Sequence, residues 1–181
     1  GEEIAKATGA KTVFAVHLSI NNYIKEVHEA QAWNFETAKT IEFEACRKAF
    51  KVLQVSEVYS EKFPFMIYKH KTEIVPNGVD YAAFGNAEPY THVGNKPVKI
   101  VYIGRIAEMK NIAALLSIKI PENCDLIFIG GSQGSSDLLI KDLQDKAGRV
   151  ENFHYIGALY DQEKINAIAA ADLIIMPSTH E

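Results

Sequence analysis

The sequence predicts an α/β protein made of two parallel-sheet units, and three observations carry that expectation. Short runs of β-branched and aliphatic residues alternate with stretches at helical spacing along nearly the whole chain, the pattern of strands joined by crossover helices. Most of the runs are apolar along their length, as in strands covered on both faces. Between Phe84 and Pro97 the residues Gly85, Asn86, Pro89, Gly94, Asn95 and Pro97 break the alternation, dividing the chain into residues 1–84, a linker at 85–97 and residues 98–181.

Taken in order, Glu2 to Thr8 reads as a helix closed by Gly9 in the C-cap position. Lys11 to Val16 is a short strand with His17 at its carboxyl end. Phe35 to Phe50 is a predicted helix whose inner face is read from Ala38, Ile41, Ala45 and Ala49. A strand follows from Lys51, and Ser56 is a candidate N-cap for a helix ending before Pro64. Thr72 to Val75 is a third strand, running into a tight turn at Pro76, Asn77 and Gly78. Beyond the linker, strands are expected at Val98 to Ile103, Asp125 to Ile129, Phe153 to Ile156 and Leu173 to Met176. Helices from Asn111, from Ser135 to Ala147 and from Gln162 to Ala170 separate them. The chain opens without a methionine inside a helix and stops just past a strand, so it is expected to be a slice of a longer protein with both units incomplete.

Charge narrows the classes of partner. Nineteen lysines and arginines are scattered against 23 aspartates and glutamates, for a net charge of −4, which leaves no electrostatic footprint for nucleic acid or an anionic membrane. No apolar run approaches the roughly 20 residues of a spanning helix, so membrane association is not indicated and a cytoplasmic location is expected. Cys46 and Cys124 form no C-x-x-C pair and read as small, reduced core residues. No His/Cys set has metal-ligand spacing, and there is no G-x-S-x-G elbow.

In parallel sheets ligands bind beyond the carboxyl ends of the strands, so the residues there are the functional candidates. Gly104 and Arg105 follow one strand directly, with Lys110 at the start of the next helix. Two cations beside a helix N-terminus suit a diphosphate, because arginine binds oxygens bidentately and the helix dipole favours an anion. Solvated loop charges are the alternative. Gly130 and Gly131, in IGGSQGSS, resemble a phosphate loop but match neither the Walker pattern nor a dinucleotide fingerprint; a tight turn with Ser135 or Ser136 as N-cap fits as well. His17 is either a ligand contact or a histidine satisfied within the core. Glu181 is either a carboxylate at the mouth of the sheet or a surface glutamate.

The order VPNGVD, GR with a lysine shortly after, IGGS, HYIG and AADLIIMPSTHE resembles the large group 1 of retaining glycosyltransferases, which includes glycogen and starch synthases and many mannosyl- and glucosyltransferases. The resemblance is closest from Thr72 to Glu181 and extends loosely back to KTVFAVH. It implies two Rossmann-like units of the GT-B type, the first the rear of an acceptor-side domain and the second a donor-binding domain. The implied function is transfer of a hexose from a nucleotide-sugar donor to a carbohydrate or other hydroxyl acceptor, with retention of configuration. By the same resemblance Arg105 and Lys110 hold the donor diphosphate, beside Gly104, Gly130 and Gly131. Ala158 and Leu159 border the base, while Glu181 and His17 reach the donor sugar. No cofactor or metal is required by this scheme. Asn111 departs from the pattern, standing where the group usually has glycine. A non-catalytic nucleotide-sugar-binding module and a sugar-nucleotide epimerase are the alternatives on the same architecture.

Overall fold

The computed structural model describes residues 2–19, 32–132 and 137–179. It divides into two compact units, Gly1–Val79 and Asp80–Glu181, each with its own parallel sheet.

In the first unit helix α1 (Glu2–Thr8) leads into strand β1 (Val13–Val16), helix α2 (Ala32–Lys48), strand β2 (Lys51–Gln54) and strand β3 (Thr72–Ile74). The strands lie in the order β1-β2-β3, with Val16 opposite Gln54 and Gln54 opposite Ile74. Val16, Cys46, Ala49, Val52, Tyr59 and Phe65 form the core on one face. Two sequence expectations change here. Ile41 is 62% exposed, and Glu42 is buried in its place. The buried stripe of α2 is therefore Ala38, Glu42, Cys46 and Ala49, one position round from the expected face. Glu42 tolerates burial because the Ser19 hydroxyl donates to its carboxylate at 2.9 Å. After β2 the expected helix is only a 3-10 turn, Glu57–Tyr59, and Ser56 makes no side-chain cap bond. A second 3-10 segment, Phe65–Lys71, follows Pro64. Turns this short let Tyr59 and Phe65 both enter the same small core.

The second unit opens with helix α3 (Tyr81–Gly85), whose N-cap Asp80 accepts from the amides of Ala82 and Ala83. Then come β4 (Val98–Ile103), α4 (Ile112–Ser117), β5 (Cys124–Ile129), α5 (Asp137–Ala147), β6 (Phe153–Gly157), α6 (Asp161–Ala169) and β7 (Leu173–Ile174). The strand order is β6-β5-β4-β7, all parallel. Strand β5 is buried at every position, which is why its sequence is a continuous apolar run after Asp125. Its period of two sends Leu126 and Phe128 to a cluster with Tyr102, Ile112, Leu143 and Phe153, and Ile127 and Ile129 to the opposite face with Val101 and Ala167. Each fully buried aliphatic or aromatic side chain of this kind contributes about 1.5–3 kcal/mol.

Residues 85–97, read from composition as a linker, pack within this second unit. The Glu88 amide donates to Asn166 Oδ1 at 3.0 Å, and the Lys96 amide donates to Asp125 Oδ2 at 2.9 Å. Asp125 is 1% exposed at the amino end of the sheet and also accepts from Lys99 Nζ at 2.6 Å and His154 Nε2 at 3.0 Å. Gly94 lies against it with φ +88°, where a side chain would run into the carboxylate.

Candidate functional site

The carboxyl ends of β4, β5 and β6 come together through their main chains. The Gly104 amide donates to the Ile129 carbonyl at 3.0 Å, the Gly130 amide to Gly157 at 2.7 Å, and the Ile106 amide to Gly131 at 2.9 Å. A Cβ on Gly130 would overlap the carbonyl oxygen of Gly104, so glycine is required there by close approach of two backbones. Two phenols then pin the loop carbonyls from below. Tyr102 Oη donates to the carbonyl of Arg105 at 2.7 Å, and Tyr155 Oη to that of Gly130 at 2.9 Å. Burial pushes the Tyr155 phenol above its ordinary pKa, which keeps it a donor.

These loops enclose a cavity of about 270 Å³. Six residues singled out from the sequence line it: Gly104, Arg105, Gly130, Gly131, Ala158 and Leu159. Ile103, Ile129 and Ser132 line it as well, and so do Tyr160 and Lys164 at the start of α6, which the sequence does not single out. Their available signal was position, since they occupy the turn and first helical turn after a strand end.

Lys110 stands elsewhere in the same unit. It closes a 3-10 turn, Glu108–Lys110, and does not line the cavity. Asn111 then takes the left-handed conformation, φ 52°, ψ 39°, before α4 begins. Thr179 ties the last described residues to that turn, its amide donating to Met109 O at 3.0 Å and its hydroxyl at 3.2 Å. Glu181, and Ser135 and Ser136 of the glycine-rich segment, lie outside the described residues.

In the first unit a separate cavity of about 250 Å³ sits at the carboxyl ends of β1, β2 and β3. His17, Gln54, Asn77 and Gly78 line it. His17 is exposed, so the reading of it as a core histidine does not hold. Both cysteines are free and buried, and burial pushes the Cys46 thiol up to about 12. Among the described residues no three His, Cys, Asp or Glu side chains gather as a metal site, and no helix is long and apolar enough to cross a membrane.

Several solved structures share this fold. The structure of HepE from Anabaena with UDP and glucose matches with a TM-score of 0.65 at 17% identity, over 97% of this chain and 48% of that one. TarM matches with a TM-score of 0.61 at 15% identity, over 96% and 33% of the two chains. The lipopolysaccharide outer core galactosyltransferase WaaB, in its apo form, matches with a TM-score of 0.56 at 14% identity, over 99% and 53%. The chain thus spans about half the length of HepE and WaaB, and less of TarM. No curated protein matches it by sequence. Residues 89–181, just over half of the chain, match the family described as Glycosyl transferases group 1. The two parallel sheets, the cavity at the strand ends of the second and this match agree: the chain belongs to the group 1 glycosyltransferases, on the GT-B fold.

Proposed function

We propose that this chain contributes the donor site of an enzyme that moves a hexose from a nucleotide-sugar to an acceptor hydroxyl with retention of configuration. The observation that carries the reading is the second unit's cavity, where six residues chosen from sequence alone line one space. A pocket at strand carboxyl ends, lined by three glycines and walled by Arg105 and Lys164, suits a diphosphate group. UDP is the first candidate, because HepE structures of the same fold hold UDP and UDP-glucose.

In this scheme Gly104, Gly130 and Gly131 let the diphosphate approach the main chain. Arg105 and Lys110 meet the negative charge that grows on the leaving phosphate, an electrostatic contribution of the oxyanion-hole kind. Lys110 lies off the cavity wall, so the diphosphate would have to extend from the base end toward the Glu108–Lys110 turn. By the family resemblance Ala158 and Leu159 border the base, and Glu181 contacts the donor sugar. The first unit supplies acceptor-side surface, the scheme uses no metal, and the reaction runs in the cytoplasm.

Calorimetric titration of the chain with UDP, GDP and ADP tests the donor reading. UDP should bind with the highest affinity, and adding its glucose conjugate should compete with it. Absence of binding by all three diphosphates would sink the proposal.

A further inference from the structure

Helix α6 is held at both ends by different parts of the chain. Its amino end presents Tyr160 and Lys164 to the cavity. Its carboxyl half is gripped by residues 85–97, the segment that precedes β4. The Asn166 side chain accepts from the Glu88 amide at 3.0 Å and from Gln162 Nε2 at 2.9 Å. One turn from the helix end, the Ala167 carbonyl has no partner within the helix and accepts from His92 Nε2 at 2.9 Å. Tyr90 packs edge-on against the His92 ring with 4.9 Å between centroids, and joins Ala167, Val101 and Ile127 in the core on that face.

His92 is 5% exposed, and its Nδ1 is buried without a hydrogen-bond partner. The bond to Ala167 requires the proton on Nε2, which leaves Nδ1 as an unpaired lone pair. Protonation would place a second N–H, and a charge, where nothing accepts it. The charged and titratable groups around the ring are Lys99 of β4, Asp172 just past α6 and Tyr90 beside it. Burial lowers the imidazole pKa below its ordinary value; the Ala167 bond and Asp172 oppose this, and Lys99 adds to it.

We infer that His92 is a positioning residue for the donor cavity: its neutral imidazole fixes the carboxyl half of α6, and through that rigid helix the placement of Tyr160 and Lys164. The inference rests on the donor reading above for its link to ligand, but not for the link between His92 and the helix.

The test pairs His92→Leu with His92→Gln. Glutamine carries an N–H donor and does not titrate; leucine leaves the Ala167 carbonyl unpaired. UDP affinity at pH 7.5 should fall about tenfold in His92→Leu, the order expected for one lost buried hydrogen bond, and stay within about twofold in His92→Gln. Between pH 7.5 and pH 5.0 the wild type should lose affinity relative to His92→Gln. The diphosphate's own titration near pH ~6 is common to both proteins and cancels. Hydrogen exchange at the amides of α6, read without ligand, should speed up in His92→Leu and in the wild type at pH 5.0, while β5 stays protected after correction for intrinsic rates. Equal α6 protection in wild type and His92→Leu would overturn the inference even if UDP binds. Failure of the wild type to bind UDP, with α6 loosened as expected, would sink the donor reading and leave the helix clamp standing.

Discussion

The carbonyl oxygen of Gly104 fills the space that a side chain on Gly130 would need, so the ends of β4 and β5 touch main chain to main chain. The Gly130 amide is meanwhile committed to Gly157 of β6 at 2.7 Å. Three strand ends are therefore locked edge to edge under the cavity. Gly130→Ala should cost about 1–3 kcal/mol, the range for forcing extra volume into a packed site. Urea melts should show the loss, and UDP binding should weaken with it. A variant as stable as wild type would mean that this contact relaxes freely.

Much of this was readable because it is local. The β5 run and the glycines after it declare a buried strand meeting a tight turn, and the predicted strand spans agree with the structure to within a few residues. What stayed hidden depends on partners distant in sequence. Nothing near Glu42 announces that Ser19 will satisfy it, so the apolar spacing of α2 points to a face one position off. The packing of 85–97 rests on Asn166, Ala167 and Asp125, each of them 29 residues or more along the chain from the group it holds. Lys110 sits on a 3-10 turn ahead of a reversed residue and not on a helix start, because Asn111 supplies the left-handed turn between them.

Asn111 turns that departure from the family pattern into a prediction. At φ 52° asparagine is tolerated and glycine is unstrained, whereas a β-branched residue meets its own carbonyl. Asn111→Gly should keep stability within about 1 kcal/mol, and Asn111→Val should lose roughly 1–2 kcal/mol or more. Equal denaturation midpoints for wild type and the valine variant would show that the turn is free to adopt another shape.

Asp125 couples the stability of the second unit to pH on the acid side. Burial alone would raise its pKa, but bonds from Lys99, His154 and the Lys96 amide outweigh that and hold it below the ordinary 3.8. A lowered folded pKa means that the stabilisation is complete above the unfolded value and drains as pH falls through the folded one. Asp125→Ala should therefore cost about 3 kcal/mol at pH 7, where Lys99 and the Lys96 amide lose their acceptor, and the penalty should shrink at a pH well below the ordinary 3.8, once the folded carboxylate is protonated. Urea titrations at both pH values give the comparison, and a penalty independent of pH would assign the effect to lost packing alone.

The donor charges give the most direct reading of function. Arg105 lines the cavity, and Lys110 lies five residues on in a turn tied to Thr179. If both meet a diphosphate, Lys110→Ala should weaken UDP binding by about 1.5–3 kcal/mol, the range for hydrogen bonds to charged groups. Arg105→Lys should weaken it too, since a single ammonium does not reproduce a bidentate fork. In a full-length enzyme both changes should lower kcat more than they raise KM, because the charge they face is larger at the transition state than in the bound donor. Lys141, a surface cation on α5, serves as the control. Its replacement by alanine removes the same formal charge from the unit, so any general electrostatic loss appears there as well. Calorimetric titration with UDP separates the cases: equal affinity in wild type, Lys110→Ala and Lys141→Ala would mean that Lys110 takes no part in holding the diphosphate, and equal affinity in Arg105→Lys would remove the bidentate role of Arg105.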